Sequence, residues 1–162
     1  MIINKKFKIA KGITCIIICA LIFSCKDNGV KSSSSKNIDT VDLLKRANYF
    51  YAQEEYLQAK QCYDTLISKD SSQGEYFFKR GYSKSMLLYD VYGAIADYQK
   101  AIEVNYNKKQ KAYLNIGVLL RSQGKYDSAI IFINQCLKLD PNNPKALREK
   151  EEITMQSVKK IK

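Results

Sequence analysis

The feature that most constrains this chain is an internal repeat with a period of about 35 residues. Ala59, Ala94 and Ala129 are separated by 35 and 35, as are Tyr63, Tyr98 and Ile133, and Leu66, Ala101 and Cys136. Upstream of these, the small residues Ala47, Gly81 and Gly117 are separated by 34 and 36. One extra residue near Leu88-Tyr89 accounts for the offset. A small, a large and a small residue at i, i+4 and i+7 line one face of a helix. The small residue lets a neighbouring helix come close. The upstream stretches, Leu43/Ala47/Phe50, Phe77/Gly81 and Tyr113/Gly117/Leu120, supply a second amphipathic helix per period. Short polar turns separate the two: Gln53-Glu54-Glu55, Tyr89-Asp90 and Ser122-Gln123-Gly124-Lys125. No strand-length alternation of period two occurs after residue 39. Each period is therefore a helical hairpin that buries its apolar face only by stacking on the next. The fold class expected is all-α, an αα-hairpin repeat solenoid of three units, at about 40–73, 74–108 and 109–143.

In register, the three units resemble the tetratricopeptide repeat (TPR) family. The third fits its pattern best, through Tyr113, Ile116, Gly117, Leu120, Gly124, Tyr126, Ala129, Ile133, Cys136, Leu139 and Pro141. Phe77, Gly81, Ala94, Tyr98 and Ala101 carry the second, with Tyr106 at the usual proline, and Leu43, Ala47, Tyr56, Ala59 and Tyr63 the first, with Ser71 there. No unit has the family's first-helix tryptophan. After Pro141-Asn142-Asn143-Pro144, residues 144–162 are expected to form a capping helix. Ala146, Leu147, Ile153, Val158 and Ile161 give it a partial apolar stripe, and its acids are expected in solvent.

The resemblance implies a function. In TPR proteins the first helices line a concave groove that takes a peptide. The positions on their non-core face are Leu44, Asn48 and Tyr51; Phe78, Tyr82 and Met86; and Lys111, Leu114, Val118 and Arg121. The groove so drawn is aromatic and aliphatic with a cationic end. Some family members clamp a terminal carboxylate with Lys and Asn. Only Asn48 and Lys111 fall at such places here, and Leu44 replaces a clamp lysine, which argues against carboxylate clamping. Rigid Tyr and Phe supply contact area at low entropic cost, so a protein or peptide partner is expected. The alternative is a structural protein that self-associates as a homodimer through the same face.

The first 38 residues read as targeting and tether. Four lysines and no acid precede the apolar run Ile13 to Phe23, 11 residues long, where a membrane span needs about 20. A basic start, a short apolar run and small residues describe a secretory signal. Ile22, Ser24 and Cys25 resemble the lipobox of bacterial lipoproteins. That resemblance implies a signal peptide over 1–24, lipidation of Cys25, and a chain held at a membrane of the bacterial cell envelope. Lys26 stands where an aspartate can signal inner-membrane retention, which favours the outer membrane. Residues 25–38, with four consecutive serines, form the lipidated Cys and a flexible tether of about 20 Å reach. The whole chain carries 27 Lys+Arg against 16 Asp+Glu, or +11. Without residues 1–24 the balance is 23 against 16, or +7. That mild, dispersed surplus is not a nucleic-acid footprint.

The chain contains no His. That excludes a Ser-His-Asp triad, a Cys-His pair and a His-ligated zinc. Gly117 to Lys125 has six residues between its glycines and Tyr126 after the Lys, so it is not a phosphate loop. The pairs Glu54-Glu55 and Glu151-Glu152 diverge on a helix and make poor acid–base dyads. No enzyme activity, metal, cofactor or small-molecule substrate is expected. Cys15 and Cys19 belong to the apolar leader. Cys62 and Cys136 lie two repeats apart, too far to bridge, and read as small buried apolar residues.

Overall fold

A computed structural model describes residues 39–87 and 90–161, with side chains as far as Gln156. The leader, Cys25, the tether and the inserted residue at Leu88-Tyr89 lie outside the described residues. Seven helices and no strand occur among those described. They are α1 (Thr40–Ala52), α2 (Tyr56–Lys69), α3 (Gly74–Leu87), α4 (Val91–Glu103), α5 (Lys109–Ser122), α6 (Tyr126–Leu139) and α7 (Pro144–Ile161). Each packs on the next in chain order, so α1–α2, α3–α4 and α5–α6 are antiparallel hairpins stacked side by side. The fold is the expected all-α hairpin solenoid. None of these helices is long and apolar enough to cross a membrane.

Local chemistry sets the boundaries. The Asp39 and Asp90 carboxylates cap α1 and α4 by accepting from the amides of Val41 and Gly93. The Asn143 side chain accepts from Ala146 N at 3.0 Å and starts α7 at Pro144. The turns inside the first and third hairpins have one geometry. Glu55 N donates to Phe50 O and Lys125 N to Leu120 O, each at 2.9 Å, closing helix ends of the Schellman type. That closure needs a left-handed residue, supplied by Glu54 (φ 61°) and Gly124 (φ 68°), 70 residues apart. Glycine takes this conformation freely, and Glu54 takes it at a steric cost.

The 35-residue positions form the core. Ala59, Tyr63, Leu66, Ala94, Tyr98, Ala101, Ala129, Ile133 and Cys136 are all completely buried. Gly81 and Gly117 make the close helix approaches expected of them. A Cβ on Gly81 would lie 3.0 Å from Asp97 Cβ, and one on Gly117 only 2.5 Å from Ile133 Cδ1. Cys62 and Cys136 are buried and free, and burial pushes both thiols above the ordinary range.

The apolar core falls into two clusters. One belongs to the first hairpin, and the other runs through the second and third hairpins into α7. Beside the junction lies a polar layer. Arg80 of α3 donates to Asp64 of α2 at 3.0 Å and to Asp97 of α4 at 2.5 and 2.8 Å. Lys84 adds a second cation to Asp97 at 3.0 Å, and Lys60 reaches Asp64 at 2.8 Å. Asp97 is only 4% exposed. This layer ties three helices from two hairpins together.

Candidate functional site

The groove positions drawn from the sequence fall into three groups. Leu44, Asn48, Tyr51, Tyr82 and Val118 are half-buried along the first helices, with Met86 and Lys111 exposed. Phe78 and Leu114 differ from expectation, because each is 8% exposed and belongs to the core. Phe78 stacks on Tyr106 at 4.7 Å and tilts against Tyr98 at 5.4 Å. The physical reason is that α3 and α5 lie between neighbours on both sides, so the face turned from their own hairpin partner is still packed. Tyr106, at the family's proline position, fills the space that draws Phe78 inward. Arg121 is the third case. It is engaged by α7, with Nε 2.7 Å from Glu149 and Nη1 3.2 Å from Glu152. Glu149 is therefore buried, contrary to the solvated face expected for the terminal helix.

The side chains that come together lie between α1 and α3. Tyr51 and Tyr82 have ring centroids 5.5 Å apart, and Tyr56, from the start of α2, lies 5.9 Å from Tyr82 and 6.4 Å from Tyr51. These three rings form an aromatic cluster. Lys79 Nζ stands 5.6 Å over the Tyr51 ring, an attractive cation–π placement. The same nitrogen donates to Asn48 Oδ1 at 2.7 Å and pairs with Glu75 at 2.8 Å. Asn48 Oδ1 also accepts from the Tyr63 hydroxyl at 2.9 Å. Met86 is one turn beyond Tyr82 on α3 and is 46% exposed.

Sequence reasoning missed Lys79 and Tyr56 as members of this cluster. Lys79 follows Phe78, and a shift of one residue rotates a side chain by about 100°, enough to exchange their faces. Tyr56 opens the second helix of its hairpin, and only the rule that first helices line the groove kept it out.

Burial raises the Tyr51 phenol far above its ordinary value, and the neighbouring Tyr82 adds to the rise. Tyr51 therefore stays neutral at neutral pH, beside a lysine held by Asn48 and Glu75. Such a surface can bury apolar or aromatic side chains and orient a polar backbone. No group of three His, Cys, Asp or Glu able to hold a metal occurs among the described residues.

Comparison with known proteins agrees with this fold. Residues 111–143 match the family model described as tetratricopeptide repeat. No curated protein sequence matches the chain. Among solved structures, the chain is similar to the first TPR of Spaghetti (RPAP3) bound to an HSP90 peptide, SRMEEVD, at 24% identity and a TM-score of 0.67. That similarity covers 74% of this chain and 93% of the other. It is similar to the Arabidopsis OM64 TPR domain at 22% identity and a TM-score of 0.66, over 72% of this chain and 94% of that one. It is also similar to the MamA protein at 20% identity and a TM-score of 0.69, over 74% of this chain and 64% of that one. The fold is TPR-like.

Proposed function

We propose that this chain is a protein-binding module that docks an extended peptide or protein segment along its first helices. The half-buried aromatic cluster of Tyr51, Tyr56 and Tyr82, with Met86 exposed one turn beyond Tyr82, carries this reading. Clusters of rigid aromatic side chains at a surface are favoured contact points at interfaces. A solved structure of similar fold is bound to an HSP90 peptide, which supports this reading. No reaction is assigned to the chain.

The anchor completes the proposal. The Ile22-Phe23-Ser24-Cys25 segment supports lipidation at Cys25 and a place at the bacterial cell envelope, and Lys26, where an aspartate can signal inner-membrane retention, favours the outer membrane. Two or more acyl chains give stable anchoring where one is marginal. The partner is then another envelope protein or a segment of one.

The test uses the lipidated chain as affinity bait in its own envelope. Replacing both Tyr82 and Met86 with Ala is expected to reduce capture of a defined partner at least tenfold, about 1.4 kcal/mol. Helix content measured by circular dichroism is expected to stay unchanged. Undiminished capture by that variant would place binding elsewhere. In parallel, Cys25→Ser is expected to abolish lipid labelling and release the chain from the membrane fraction, and unchanged fractionation would remove the anchor.

A further inference from the structure

Recognition of a charged segment needs an unspent countercharge, and along the first helices little is left. α3 and α5 carry six cations: Lys79, Arg80, Lys84, Lys109, Lys111 and Arg121. Lys79 pairs with Glu75 at 2.8 Å and also donates to Asn48. Arg80 is shared between Asp64 and Asp97, and Lys84 pairs with Asp97 at 3.0 Å. Arg121 is taken by α7, through Glu149 at 2.7 Å and Glu152 at 3.2 Å. Lys109 Nζ donates to Asn105 Oδ1 at 3.0 Å. Among the described residues, Lys111 alone of the six has no such partner, and it is exposed. The groove positions of α1, Leu44, Asn48 and Tyr51, are uncharged.

The cationic end that the sequence places at Lys111 and Arg121 is therefore reduced to Lys111 by the chain's own last helix. An acidic segment laid here would exchange water for one flexible, exposed lysine, and an exposed ion pair of that kind contributes little. The peptide SRMEEVD, solved on the first TPR of RPAP3, carries three acids. A terminal carboxylate is held well by fixed, charged donors, and the fixed cations here are spent on acids of this chain. Apolar contact remains, at half-buried Tyr51, Tyr56 and Tyr82 and at Met86, which is 46% exposed. We propose that the first helices take an internal, apolar segment of the partner, with an aromatic or aliphatic side chain against Tyr82 and Met86, and discriminate against acidic segments and free C-termini. This rests on the reading of these helices as a docking face and adds the chemistry of the segment they accept.

The test selects binders of the full chain in detergent micelles from two random-peptide libraries, one displaying peptides between folded flanks and one with free C-termini. Two variants serve as counter-targets: Tyr82→Ala with Met86→Ala, and Met86→Glu alone, which changes an exposed site and leaves the aromatic cluster intact. Sequences that bind wild type at least tenfold tighter than both variants report on this face. They are expected to come from the internal library, rich in aromatic and aliphatic residues and poor in charge. Their affinity is expected to change by less than about twofold between about 50 and 500 mM salt. SRMEEVD with a free C-terminus is expected to show no saturation up to about 1 mM. Selected sequences that are charged, or that need a free C-terminus, would overturn the inference and leave the docking face in place. Micromolar, salt-sensitive binding of SRMEEVD that the variants lose would do the same. A selection with no sequence that tells wild type from the variants would remove the docking face itself, and the inference with it.

Discussion

Arg80 grips Asp97 with two parallel hydrogen bonds, Nε to Oδ2 at 2.8 Å and Nη2 to Oδ1 at 2.5 Å, where the third hairpin carries Ile116 and Phe132. An ion pair thus occupies positions that are apolar one repeat later. Taking two charges out of water offsets most of their mutual attraction, but removing one partner leaves the other buried and alone. Asp97→Ala is therefore expected to cost about 3 kcal/mol, the range for breaking a buried pair. Replacing both residues by those of the third hairpin, Arg80→Ile with Asp97→Phe, is expected to cost much less than Asp97→Ala. Urea titrations of the three proteins followed by circular dichroism read the difference. A double variant as unstable as the single one would show that the pair itself, with Lys84 and Asp64, holds the junction.

The same pair marks where the sequence stops being legible. The helices and their stacking were readable because Tyr63, Tyr98 and Ile133 recur at one interval and the small residues facing them recur with it. Those positions are buried on one face whatever else happens. The groove was harder to read. A helix in mid-stack is packed on two sides, so a residue off the repeat's apolar stripe is not thereby exposed, and Phe78 and Leu114 went into the core. Charged residues hid the rest. Arg80, Lys79 and Glu149 read as surface in isolation, yet each is half-buried or buried because its partner comes from another helix, at Asp97, Asn48 and Arg121. Nothing in the spacing of a single unit signals such pairs.

Alkaline pH bears on the aromatic positions. Burial pushes the Tyr51, Tyr63 and Tyr98 phenols well above the ordinary value of 10.0. Above about pH 10 the unfolded chain has lost these protons while the folded chain still holds them. The unfolded state then binds fewer protons, so stability falls as pH rises. Below pH 10 the contribution is fully present. Tyr98→Phe keeps the buried ring and removes the titrating group. It is expected to lose about 1 kcal/mol at pH 7, where its hydroxyl bond is missing. At pH 11 that deficit is expected to shrink or reverse. Urea midpoints at both pH values test this, and an equal deficit at each would mean that ionisation of Tyr98 does not drive the alkaline transition.

Gly117 allows a last prediction, because its contact is tighter than that of its equivalents. A methyl group there would meet Ile133 Cδ1 at 2.5 Å and Cγ1 at 2.7 Å, with Ala129 O at 3.3 Å. Ile133 is completely buried and has nowhere to withdraw. Overpacking of this kind costs about 1–3 kcal/mol, against roughly 1 kcal/mol recovered from helix propensity when Ala replaces Gly. Gly117→Ala is therefore expected to destabilise the chain. The first hairpin already carries Ala47 at this place, fully buried, so the backbone of the repeat tolerates the methyl group and the obstacle is the Ile133 side chain. Ile133→Val removes Cδ1. Alone it is expected to cost about 1 kcal/mol. Combined with Gly117→Ala, it is expected to cost less than the two single changes together, a coupling that a double-mutant cycle measures. Strict additivity would mean that the helices separate to admit the methyl group and that Ile133 does not set their spacing.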